Sequence, residues 1–168
     1  MDDDIVNDLT FIQARWGSER TLNSFLAREV GALCGLICGR DVAVPRVEVR
    51  PSFLARGLFG KNSRAAEYIP DDDSNTQPTI IMLPAACESR EKARLILAHE
   101  LIHHWEHTSD SPALDRYESH RLDSFVSSLF SNGEREQRWR GGHSRVFISK
   151  AALVANQLQV DLRNLLFE

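Results

Sequence analysis

His99, Glu100 and His103 spell HExxH within the run ARLILAHELIHHWEH, residues 93–107. The run is rich in leucine, isoleucine and alanine and reads as a helix. On a helix, side chains four residues apart leave from one face, so both imidazoles reach a single ion. Glu100 falls one residue round, where a carboxylate handles the proton of a water activated by that ion. The chemistry implied is zinc-assisted hydrolysis, most often of peptide bonds. All six histidines lie between residues 99 and 143, the clustering that a metal site produces. Two imidazoles and a carboxylate in an apolar helix are costly to bury without a partner, and a bound cation satisfies all three.

The register needs a choice, because HHWEH, residues 103–107, also reads as an inverted HxxEH. His99, His103 and His107 together span about 12 Å along a helix. Zinc–nitrogen bonds are only about 2.0–2.1 Å, so one straight helix cannot bring all three to one ion. The pair His99 and His103 lies deeper in the apolar run, whereas His107 sits beside Thr108, Ser109 and Asp110. The first pair is therefore the ligand pair, and His104 and His107 become surface residues or supports for the ligands. A catalytic zinc also needs a third protein ligand and one open position. The metzincin extension needs glycine and histidine where Glu106 and Ser109 stand. Glu118, on the next expected helix, and His143, after Gly141-Gly142, remain as candidates. Tyr117, His120 and His104 are candidate donors to a developing oxyanion.

The elements that position these residues follow from periodicity. Ile5, Leu9, Ile12, Trp16, Leu22, Phe25, Leu26, Val30, Leu33 and Ile37 recur at helical spacing, which predicts a long helix over 5–38, broken near Gly17 and stopped at Gly39. Cys34 and Cys38 are four apart on it. With no second cysteine pair to complete a four-ligand site, core packing is the favoured reading. VPRVEVRP, residues 44–51, alternates as a half-buried strand between prolines. A hairpin turning near Gly60-Lys61-Asn62 leads to a strand over Ala66 to Ile69, and 71–78 is a loop. TIIML, residues 79–83, is a short apolar strand that stops at Pro84. Ser89 caps the HExxH helix, with Glu91 in its first turn. Further helices are expected from Pro112 to Phe130 and from His143 or Ser144 onward, with a tail that extends the last one or turns back.

Length and composition set outer bounds. A chain of 168 residues predicts one domain with a real core. Its longest apolar stretches are too short to span a bilayer. The acidic start MDDDIVNDL has no basic n-region, so a cytoplasmic setting is expected. Three cysteines, an odd and sparse set, argue for reduced thiols over a disulfide framework. The net charge of −4 does not advertise nucleic-acid binding. Two basic clusters, Arg46, Arg50, Arg56, Lys61, Arg64 and Arg135, Arg138, Arg140, Arg145, Lys150, could still touch phosphates, although solvated surface is the favoured reading. Oligomeric state leaves no mark.

The segments ILAHELIHHWEH and GGHSRVFISKAALVANQL together resemble the SprT-like metalloprotease family, which includes the Spartan proteases. In that family HExxH is followed by a His-Gly-x-x-Phe-like segment that opens a helix, and its histidine is the third zinc ligand. The matching segment is His143-Ser144-Arg145-Val146-Phe147, with Ser144 where the family has glycine. The resemblance covers residues 79–158. It implies an α+β, zincin-like minimal domain over 1–168. A long N-terminal helix, a small, mostly antiparallel sheet on a central HExxH helix, and further C-terminal helices make up that fold. It implies one Zn2+ per chain on His99, His103 and His143, Glu100 as general base, and a protein or peptide substrate. The family acts on DNA-associated proteins; this chain departs from it in lacking a four-cysteine zinc ribbon, which weakens that carry-over. The ImmA/IrrE-like metalloproteases are the rival. They place an acidic ligand on the helix after HExxH, so Glu118 would replace His143, and Leu122-Asp123-Ser124-Phe125-Val126 echoes their Asn/Asp-x-Phe-Ala pattern. A non-catalytic, zinc-stabilised binding module is the reading outside the enzymes. Glu100 argues against it, because a structural zinc has no use for a general base.

Overall fold

The computed structural model describes residues 3–50, 65–71, 77–109 and 143–166. The N-terminal helical run is two helices, α1 (Asp3–Trp16) and α2 (Glu19–Ile37). Gly17 divides them at φ 73°, a left-handed conformation that glycine adopts without steric cost. Ser18 then caps α2 by accepting a hydrogen bond from the Thr21 amide. Gly39, at φ 99°, follows its end. One face of α2, carrying Leu22, Phe25, Leu26, Val30, Leu33, Cys34 and Ile37, is buried.

Three strands follow: β1 (Arg46–Val49), β2 (Ala66–Ile69) and β3 (Thr79–Met82). Their order is β1-β3-β2, with β1 parallel and β2 antiparallel to β3. The sheet is thus evenly mixed, not mostly antiparallel as the sequence had indicated. The reason is connectivity: β1 and β3 are separated by residues 50–78, long enough for the crossover a parallel pair requires. The centre of the sheet goes to the most apolar segment, with Ile80, Ile81 and Met82 all buried. A 3-10 turn over Pro84–Cys87, which periodicity did not show, leads from β3 to the next helix.

That helix, α3 (Arg90–Thr108), carries HExxH. Ser89 caps it through the Lys92 amide, as expected from its position. Nearly every side of its central turns is buried, and it packs against α2, β2 and the two C-terminal helices. These are α4 (Arg145–Leu158) and α5 (Arg163–Leu166). Ser144 caps α4 by accepting from the Phe147 amide at 3.0 Å. Gln159, left-handed at φ 56°, ends it, and the tail turns back onto α3. The arrangement is α+β: helices before a small mixed sheet, then a central helix bearing the motif, as in a minimal zincin. The turn at Gly60-Lys61-Asn62, the helix expected over 112–130, and Glu118, Tyr117 and His120 lie outside the described residues.

Candidate metal centre

His99 and His103 leave one face of α3, and His143 stands just before the first turn of α4. Capping explains the second placement. Ser144 is the N-cap of α4, so the residue before it enters at a fixed angle, beside the helix on which α4 packs. The three imidazoles converge, with one ligand nitrogen from each lying within 4.8 Å of the other two. His143 Nε2 is 3.3 Å from His99 Nε2. Four ligands placed tetrahedrally at the zinc–nitrogen bond length stand about 3.3 Å apart, so this spacing suits one shared ion.

The tautomer of His99 follows from its other nitrogen. Nδ1 lies 2.6 Å from the Leu165 carbonyl oxygen, which can only accept. Nδ1 therefore carries the proton, and Nε2 turns its lone pair toward His143. A backbone carbonyl holding the far nitrogen of a ligating histidine is the support such ligands normally have. His99 is 5% exposed and Glu100 3% exposed, so both sit at a depth where a charge partner matters. Phe147, fully buried on α4, packs among the three rings, with centroids 4.3 Å from His143, 4.4 Å from His103 and 5.0 Å from His99. It backs the cluster with an apolar surface and excludes water from that side.

Glu106 ties the two ligand-bearing segments together. Its Oε1 accepts from the Ser144 hydroxyl, while Oε2 lies 3.9 Å from His103 Nδ1. Ser144 thus does two things: its oxygen caps α4, and its proton goes to Glu106. Where the resembling family has glycine, this chain has a residue that locks the third histidine's segment to α3. The signal for Glu106 was legible, since it follows His103 by three residues on the same face. The Leu165 contact was not legible, because any residue supplies a carbonyl.

His107 is exposed at the end of α3 and belongs to no cluster of ligand atoms among the described residues, in line with the length argument against it. His104 departs from its expected place at the surface or behind the ligands. It is 0% exposed, on the α2 side of α3, with Nε2 2.8 Å from the Ala43 carbonyl and Nδ1 3.0 Å from the Tyr68 hydroxyl. Burial lowers its pKa from the ordinary histidine value, so the ring is neutral. With both nitrogens engaged, it is no oxyanion donor. Its neighbours are Cys34 and Cys38, which with it form a second group of ligand atoms within 4.8 Å of one another. Burial pushes the Cys38 thiol up to about 12 and raises Cys34 as well.

In the first basic cluster, Arg46 and Arg50 both pair with Glu48 on β1, at 3.2 and 3.1 Å, and so spend their charge locally. Lys150, from the second, lies over the Trp105 ring at 4.5 Å. Arg56, Lys61, Arg64, Arg135, Arg138 and Arg140 lie outside the described residues. No described helix is long and apolar enough to cross a membrane.

The donor set fits zinc: three imidazole nitrogens, one ring fixed by a carbonyl, and a buried carboxylate next in sequence to His99. This is a zincin-type HExxH arrangement, the ligand chemistry of a metal-dependent hydrolase. No family model, curated protein or solved structure matches the chain.

Proposed function

We propose that the chain is a zinc-dependent endopeptidase of the SprT-like type, with one Zn2+ held by His99, His103 and His143. The observation that carries this reading is the carbonyl-fixed His99, whose Nε2 lies at tetrahedral spacing from His143 Nε2 across two separate elements. The order of strand, HExxH helix and capped His143 helix also follows the resemblance.

Zinc in this position supplies a Lewis acid that acidifies water and polarises a carbonyl. The chain's own residues supply the rest. Glu100 takes the proton from the attacking water and delivers it to the leaving amine nitrogen. Its burial keeps that carboxylate clear of bulk solvent. Phe147 and the Leu165 carbonyl hold the imidazoles in place. The substrate is an unfolded protein or peptide segment, and the free thiols suit a cytoplasmic setting. The local pairing of Arg46 and Arg50 with Glu48 leaves DNA as a secondary expectation.

Glu100→Gln is expected to retain zinc and lose turnover of an unfolded protein substrate. Equal activity in the two proteins would remove Glu100 from the mechanism. Zinc content is expected to fall in His143→Ala and to hold in Glu118→Ala, and the opposite result would favour the ImmA/IrrE-like arrangement.

A further inference from the structure

We infer that Cys34, Cys38 and His104 form a second cation site, for a thiophilic divalent ion, on the back of the HExxH helix. Its three ligand atoms come from α2, its C-cap and α3, and lie within 4.8 Å of one another, as do those of the histidine cluster. Two thiols and an imidazole select zinc or cadmium over magnesium or calcium, which prefer oxygen.

The state of the His104 ring supports this. Ala43 offers a carbonyl, so Nε2 must donate and carries the proton. Nδ1 therefore presents a lone pair, which accepts from the Tyr68 hydroxyl. A carbonyl holds one ring nitrogen and leaves the lone pair on the other, as the Leu165 carbonyl does for His99. Core packing explains part of the arrangement, because Ala43 and Tyr68 satisfy the buried ring by themselves. The thiols reach the Ala43 and Leu101 carbonyls at 4.0 and 3.5 Å, and they stand one helical turn apart beside that ring, so that three donors suited to a soft cation meet at one place. Cys34 and His104 are fully buried and Cys38 is partly exposed, so an ion would arrive past Cys38. On binding, the two thiol protons leave to solvent, the two sulfurs and a ring nitrogen coordinate, and the Tyr68 hydroxyl gives up its place at Nδ1. The ion would clamp α2 to α3 at the residue next to His103, bracing the helix that carries the first site.

Cobalt(II) titration of the reduced full-length chain tests this. Thiolate ligands give cobalt an intense sulfur-to-metal charge-transfer band, which a three-histidine site cannot produce. Two cobalt ions per chain are expected, one with the sulfur band and one without. His103→Ala and Cys87→Ser should keep the band. Cys38→Ser should lose it while retaining one ion. Saturation without any sulfur band overturns the second site and leaves the histidine site standing. A band that survives Cys38→Ser and vanishes in Cys87→Ser also overturns it. A single ion with a full sulfur band supports the second site and counts against the first. If Cys38→Ser fails to fold by circular dichroism, the wild-type band and stoichiometry decide alone.

Discussion

Replacing Glu106 by alanine tests whether the third ligand is held in place or merely lies nearby. The carboxylate accepts from the Ser144 hydroxyl and faces His103 Nδ1 at 3.9 Å. A hydrogen bond to a charged group contributes about 1.5–3 kcal/mol. The Glu106 side chain is 27% exposed, so water competes and the low end applies, about 1.5 kcal/mol. That corresponds to roughly a tenfold loss of zinc affinity, the lower edge of the range for residues that support metal ligands. Glu106→Gln keeps an oxygen for Ser144 but no charge, so a smaller loss is expected. The assay is competition between the protein and a chelator of known zinc affinity, run beside urea unfolding of the metal-free chain. Stability to urea should fall by no more than that contact contributes, because Ser144 still caps α4 through the Phe147 amide. In a double-mutant cycle, Glu106→Ala and Ser144→Ala should be non-additive by about 1 kcal/mol, since each removes the same contact. Wild-type zinc affinity in Glu106→Ala, or full additivity with Ser144→Ala, would refute the link between Glu106 and His143.

Phe147→Ala should destabilise the metal-free chain by about 3–5 kcal/mol, the cost of emptying a fully buried aromatic site. Phe147→Leu should recover most of that by the same urea measurement, and a loss under about 1 kcal/mol for alanine would mean that the rings close over the gap. Alkaline pH provides a third case. Burial holds the Cys87 thiol up to about 12, against an ordinary 9.0, so the folded chain keeps a proton that the unfolded chain releases first. Its contribution is complete below the unfolded value and is lost as pH rises through that window, at up to about 1.4 kcal/mol per pH unit. Cys87→Ala should flatten the fall in stability above about pH 9.5 by that slope, and an unchanged slope would show that the thiol ionises as easily folded as unfolded.

What the sequence made legible is local. HExxH, the Ser89 cap, the break at Gly17 and the strand that stops at Pro84 each rest on residues within a few positions of one another. The length argument against His107 needed only helical rise and a bond length. The less legible features depend on which surfaces meet. His103 and His104 are neighbours in sequence and about 100° apart on the helix, and that angle alone does not say which side will be covered. α2 covers the His104 side, so a histidine expected at the surface or behind the ligands is instead buried beside two thiols. The parallel pairing of β1 with β3 is similarly a matter of distant partners. So is the Leu165 carbonyl, which reaches His99 from the far end of the chain because Gln159 turns the tail back. These non-local contacts separate a motif from a site. HExxH supplies two imidazoles and a carboxylate, while a third imidazole, a fixed tautomer and an apolar backing come from α4 and α5. The motif's chemistry therefore depends on docking of the C-terminal helices, and changes at Ser144, Phe147 or Gln159 should alter zinc affinity without touching a ligand.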